Sequence, residues 1–124
     1  MSKININSKI KSSDGTHIIK DKHAILKDGS IYYKYDNVNN VITIKDNKVS
    51  IKRENDEYNM ILIFDNNKSI ASEYAFKDIN ISMQVKTKTH KLKINDNNLL
   101  IEYTVYINDV KSDDFIYELE WREL

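Results

Sequence analysis

The sequence predicts an all-β fold, a single closed or nearly closed antiparallel up-and-down barrel of about eight to ten strands. Three observations carry that expectation. Apolar residues recur with a two-residue period in segment after segment, as they do on a strand with one buried face. Short polar clusters of Asp, Asn and Gly interrupt the period at regular intervals, where hairpin turns would fall. The 124 residues hold no proline, two glycines and no low-complexity linker, so residues 1–124 read as one domain. Clean alternation means one face buried and one solvated, and closure removes the edges that many Ile-rich strands would otherwise expose.

Taken in order, Ile4, Ile6 and Ile10 share one parity. The stretch from Thr16 to Lys27 is less regular, but Ile18, Ala24 and Leu26 share a parity. The flanking Asp14-Gly15 and Asp28-Gly29 pairs read as hairpin turns, because Asp-Gly accepts the positive φ such turns require. Ile31, Tyr33 and Tyr35 alternate with Tyr32 and Lys34, then a loop from Asp36 to Asn40 leads to a short strand from Val41 to Lys45 and a turn at Asp46-Asn47. Val49, Ile51 and Arg53 share a face; beyond the polar break Glu54-Asn55-Asp56-Glu57, so do Met60, Leu62 and Phe64.

One segment competes with the strand pattern. Ile70, Ala71, Tyr74 and Ala75 have the spacing of a helix face, and Ser69 is a suitable cap. The alternation resumes with Ile81, Met83 and Val85, then with Leu92 and Ile94, and Asp96-Asn97-Asn98 turns the chain. Leu99, Ile101, Tyr103, Val105 and Ile107 form the cleanest alternation, so Ile101→Ala is expected to cost about 2–5 kcal/mol and Thr104→Ala little. In the last segment a helix would set Glu120 and Glu123 on the apolar side, whereas a strand groups Phe115, Tyr117, Leu119 and Trp121.

Lys plus Arg and Asp plus Glu both number 19, so no global field steers the chain toward nucleic acid. Without cysteine, disulfide scaffolds, thiolate zinc sites, iron–sulfur clusters and thiol nucleophiles are excluded together. The N-terminal residues alternate without an unbroken apolar run, so neither signal peptide nor membrane span is expected and the cytoplasm is the expected location.

A run of elements carries a resemblance: Leu26-Lys-Asp-Gly-Ser-Ile-Tyr-Tyr33, Lys48-Val-Ser-Ile-Lys-Arg53, Met60 to Phe64, Ser72-Glu-Tyr-Ala75, Ile81-Ser-Met-Gln-Val-Lys-Thr-Lys88 and Leu100-Ile-Glu-Tyr-Thr-Val105. In order and spacing these residues resemble the uncharacterised bacterial family of YwiB-type proteins, a domain of unknown function. Members commonly carry a Thr-Pro-Tyr-Gly-like turn after the tyrosine corresponding to Tyr74, where this chain reads Ala75-Phe-Lys-Asp78. The resemblance implies a calycin-like barrel, related in architecture to lipocalins and fatty-acid-binding proteins, and favours strand over helix from Ile70 to Ala75. It implies no activity.

Few residues point to chemistry. His17, His23 and His90 lack the spacings that set two metal ligands on one face; on one uninterrupted strand His17 and His23 would share a parity about 20 Å apart. No Gly-x-Ser-x-Gly elbow accompanies the serines, and Gly15 and Gly29 are too isolated to cradle a phosphate. No metal or cofactor is therefore expected. Asp113, Asp114, Glu118, Glu120 and Glu123 read as a solvated acidic face of the last strand.

Arg53 stands out. It shares parity with Val49 and Ile51, and a guanidinium pointing into a barrel needs a carboxylate, water or an anionic ligand as partner. The simpler account ends the strand before Arg53 and leaves it in solvent. Eight tyrosines add hydroxyls that need partners where buried, although packing alone accounts for large aromatic side chains. Arg53 with Tyr33, Tyr74, Tyr103, Tyr117 and Trp121 forms the candidate ligand-binding set.

Two functions follow. One is a non-catalytic barrel that binds an amphipathic anionic small molecule in its interior. The alternative is a protein-interaction module whose barrel is filled by its own side chains. An enzyme ranks last, since no acid, base or nucleophile constellation stands at usable spacing.

Overall fold

The computed structural model describes residues 1–124 and contains no helix, and so none long and apolar enough to cross a membrane. Ten strands follow one another: β1 (Ser2–Ser12), β2 (Gly15–Lys27), β3 (Ser30–Tyr35), β4 (Val38–Lys45), β5 (Lys48–Glu54), β6 (Tyr58–Asp65), β7 (Ser69–Phe76), β8 (Ile81–Ile94), β9 (Asn98–Ile107) and β10 (Val110–Glu123). Each pairs antiparallel with its chain neighbours, and β1 closes on β10 to complete an up-and-down barrel. The stretch from Ile70 to Ala75 is strand: its register sets Tyr74 opposite Met60 on one side and Met83 on the other.

Turn chemistry fixes the meander. Asp28-Gly29, Asp36-Asn37, Asp46-Asn47 and Asn108-Asp109 all hold positive φ at both central positions, the conformation whose twist matches a two-residue hairpin. The loop expected from Asp36 to Asn40 is thus only a two-residue turn, and β4 starts at Val38. Glycine is favoured at position 29: φ is +79°, and a Cβ there would stand a tight 3.1 Å from the Ile44 carbonyl oxygen.

Alternation places the core. Ile4, Ile6, Ile31, Ile42, Val49, Phe64, Val85, Leu99, Ile101 and Leu119 point inward and are almost fully buried, filling the part of the barrel toward the Asp28-Gly29 and Asp46-Asn47 turns. Lysines and glutamates recur on the outward parity, as in the Lys9–Glu118 and Lys91–Glu102 pairs, alongside the exposed Ile18, Tyr32 and Ile116.

Three bulges shift the parity. On β2, Lys20 and Asp21 together oppose Asn7, with Asp21 at φ 51° and its N–H donating to Asn7 Oδ1 at 3.0 Å. Ile19 therefore faces inward, while Ile18, expected to share the core parity of Ala24 and Leu26, is half-exposed on the outside. The same bulge puts His17 and His23 on opposite faces. On β8 the extra residue is His90, which makes one long strand of segments that read as two. On β10 the extra residue is Ser112, and Asp113 consequently takes the inward parity, opposite Val105, away from the solvated acidic face. Its carboxylate accepts the Ser13 hydroxyl at 2.6 Å, tying the β1–β2 turn to β10.

Two junctions are thin. β6 and β7 pair only at Tyr58–Met60; beyond, the Ser72 hydroxyl donates to the Ile61 carbonyl and the Thr87 hydroxyl to the Ile63 carbonyl, replacing ladder bonds. β2 and β3 pair only at Ile25–Lys27, and the earlier part of β2 is held by β1 alone.

Candidate functional site

Where β2 has parted from β3, a cavity of about 310 Å³ opens into the barrel. It exists because the three-residue β2–β3 pairing ends at Ile25 and Tyr32. Its wall takes His17 and Ile19 from β2, Tyr33 and Tyr35 from β3, Asn40 from β4, Ile51 and Arg53 from β5, Tyr58 from β6 and Tyr117 from β10.

Arg53 is held in this wall by an unbroken ladder. β5 runs through Glu54, so the strand does not end early, and Arg53 pairs with Asn40 on β4 and Met60 on β6. The side chain is half-buried, its Nε is enclosed, and no protein group bonds to that nitrogen. Six ion pairs join lysines to carboxylates across the surface, and Arg53 belongs to none of them. The single carboxylate on the cavity wall is Asp36, exposed in the β3–β4 turn.

The tyrosines around the guanidinium are kept neutral. Burial pushes the Tyr33 hydroxyl up, with Arg53 and the Tyr117 hydroxyl pulling the other way. Tyr117 is raised well above the ordinary phenol range, first by burial and then by neighbouring Tyr33 and Tyr103, against the pull of Arg53. Tyr103 is raised by burial, again opposed by Arg53, and Tyr74 by burial and by Tyr58. Neutral phenols beside a cation donate hydrogen bonds, so Arg53, Tyr33 and Tyr117 form a donor-rich pole.

The structure thus gathers most of the candidate set. Arg53, Tyr33 and Tyr117 line the cavity directly. Tyr74 and Tyr103 stand behind it: Tyr74 stacks on Phe76 at 4.7 Å and lies 5.4 Å from the wall residue Tyr58, while Tyr103 stacks on Phe115 and meets Phe64 edge-on. Trp121 is apart. It pairs with Ile6 and its backbone N–H donates to the Asn97 carbonyl near the opposite barrel end, because four further residues of β10 carry it along the axis from Tyr117.

The candidate set named from the sequence omits three wall residues, His17, Tyr35 and Tyr58. The parity of Tyr35 with Tyr33 was a usable signal; that of His17 was hidden by the bulge at Asp21. His17 meets Tyr35 edge-on, ring centres 5.9 Å apart.

A larger depression, about 570 Å³, lies elsewhere on the outer surface of β1, β2, β9 and β10, where Lys9, Lys20, Glu118 and Glu120 border it. Its charged groups are solvated and of both signs, so it has no enclosed group awaiting a partner, and the smaller cavity carries the chemistry. On the outer face His90 Nε2 stands 2.7 Å from the Thr104 hydroxyl, which donates to Asp114 Oδ1 at 2.5 Å. Thr104 is buried beneath these two and serves a cross-strand clasp. No three His, Asp or Glu side chains gather where a metal ion could be held.

Comparison with curated proteins finds no match. Among solved structures, the chain is similar to the crystal structure of ywiB protein from Bacillus subtilis, with a TM-score of 0.62 and 13% identity over 98% of this chain and 90% of that one. At that identity the likeness establishes the fold alone. The family model described as "Domain of unknown function (DUF1934)" matches residues 4–119, nearly the whole barrel from the first core isoleucine to the last core leucine, and the chain belongs to that family.

Proposed function

We propose that this domain is a non-catalytic, cytoplasmic binding protein that holds a compact anionic small molecule in the β2–β3 cavity, with Arg53 as its anchor. One observation carries the reading: a guanidinium nitrogen enclosed in the wall of a cavity with no protein acceptor, the one wall carboxylate, Asp36, being exposed in the β3–β4 turn and forming no ion pair with it. A guanidinium partly withdrawn from water gains from an anionic partner, and a ligand carboxylate or similar anion supplies one through the geometry that guanidinium fits best. Nucleic acid is not the partner proposed, since Lys plus Arg and Asp plus Glu both number 19. The absence of cysteine supports the cytoplasmic assignment.

Cavity size shapes the ligand. About 310 Å³ lies at the lower end of small-molecule pockets, and the barrel beyond is filled by Ile31, Ile42, Phe64 and their neighbours. A long acyl chain threaded down the axis would have to displace that core, so the bound molecule is short.

Native mass spectrometry of freshly purified protein tests this. Retention of a small acid by the wild type, lost in Arg53→Met, is expected. A bare wild-type chain that also binds no added anion would overturn it. The filled half of the barrel would then favour a protein-interaction module using the outer face.

A further inference from the structure

We infer that the ligand is a planar, ring-bearing monocarboxylate: its acid group meets Arg53 and its ring lies among Tyr35, Tyr58 and His17. The inference rests on the anion-binding reading above and narrows its chemistry.

Charge decides between acid types. Arg53 is the one Lys or Arg side chain on the cavity wall, and the other donors at its pole, Tyr33 and Tyr117, are neutral phenols. Asp36, the one carboxylate on the wall, is exposed in the β3–β4 turn, so a monoanion balances the one guanidinium, whereas a phosphate dianion would bring a second negative charge without a counterpart and beside Asp36.

Shape decides between chain and ring. The cavity is short and its floor is the packed core, so there is no tunnel for a flexible tail. Five of its wall side chains are rings: His17, Tyr33, Tyr35, Tyr58 and Tyr117. Two of them are braced for stacking. Tyr58 abuts Tyr74, which in turn stacks on Phe76, and Tyr35 is met by the edge of His17. Rigid ring walls favour a rigid planar guest, which loses little conformational freedom on binding and gains offset or edge-on contact. The phenol hydroxyls around it also suit a guest with polar ring substituents better than a bare alkyl chain.

The test titrates the full chain, by calorimetry and by amide chemical shifts, with naphthalene-2-carboxylate, octanoate and inorganic phosphate. The ring acid is expected to bind at least tenfold more tightly than octanoate, and phosphate not at all. Arg53→Met should weaken the ring acid at least tenfold, and Tyr58→Leu should weaken it while leaving octanoate unchanged. Octanoate or phosphate binding as tightly as the ring acid would overturn the ring inference and leave the anion-binding reading standing. Failure of the wild type to bind any of the three would overturn both.

Discussion

Tyr33 and Arg53 flank one residue, Asn40: Tyr33 is its partner on β3, Arg53 its partner on β5, and both side chains line the same cavity. The guanidinium acts electrostatically on four phenols, Tyr33, Tyr74, Tyr103 and Tyr117, lowering each against the upward push of burial. Arg53→Met should therefore move tyrosine ionisation, followed by ultraviolet absorbance, to still higher pH. Because the guanidinium has no protein partner, the fold should survive, with stability within about 1 kcal/mol of wild type or above it. A loss of more than about 3 kcal/mol would mean that Arg53 is a structural residue.

High pH should unfold the domain through the same phenols. In the unfolded chain they ionise near the ordinary value of 10, whereas burial raises Tyr33, Tyr103 and Tyr117 in the native state. Above that pH the native state binds more protons than the unfolded one, so stability falls as pH rises. The contribution is fully present below pH 10 and is lost above it. Chemical denaturation should show a declining midpoint from about pH 10 upward, and a midpoint unchanged to pH 11 would refute the burial of these hydroxyls.

On β9, Ile101→Ala should cost about 2–5 kcal/mol, since the side chain is fully buried in the core. Thr104→Ala should also cost about 1–2 kcal/mol, more than its outward parity suggested, because Thr104 is itself buried and joins His90 to Asp114. Urea denaturation of the two variants measures both values. A negligible loss for Thr104→Ala would mean that the clasp contributes nothing.

Which parts of this architecture were legible follows from where the strands are regular. β5 and β9 carry no bulge in their own chain, so counting by twos from Val49 placed Arg53 inward and counting from Leu99 placed Tyr103 inward, as found. β2 defeated the count because its extra residue falls between Lys20 and Asp21, two polar residues that mark neither face. That one extra residue turns Ile18 outward and carries His17, set aside on its spacing as a metal ligand, onto the cavity wall. The cavity was not legible at all, since it depends on β2 and β3 separating after three residue pairs, and strand pairing length leaves no periodic trace.

The thin β6–β7 junction predicts a local weakness. There the Thr87 hydroxyl serves the Ile63 carbonyl in place of a strand neighbour. Thr87→Val preserves shape but leaves that carbonyl unpaired, at a cost of about 1–3 kcal/mol. Amide hydrogen exchange should accelerate first along β6 and β7. Exchange that accelerates uniformly around the barrel would show that the hydroxyl is not what closes the junction.

The bulge on β2 predicts an asymmetry between two deletions. With Lys20 removed, Asp21 alone opposes Asn7, while Ser8 still meets Ile19 and Ile10 still meets His17, so every remaining β2 side chain keeps its face. Deletion also removes the need for an aspartate at φ 51°, a conformation unfavourable to L-residues. The Lys20 deletion should therefore fold, at a cost no greater than about 2 kcal/mol. Ser50 is the contrasting position: on unbulged β5 its removal turns either Val49 or Ile51 and Arg53 to the wrong face. That deletion should abolish cooperative thermal unfolding. The bulge has a second consequence, because added local twist carries the start of β2 away from β3 and so holds the cavity open. A folded Lys20-deletion variant should accordingly bind naphthalene-2-carboxylate at least tenfold more weakly than wild type while its core melts cooperatively. Unchanged binding in that variant would separate the cavity from the bulge and place its origin in the short β2–β3 pairing alone.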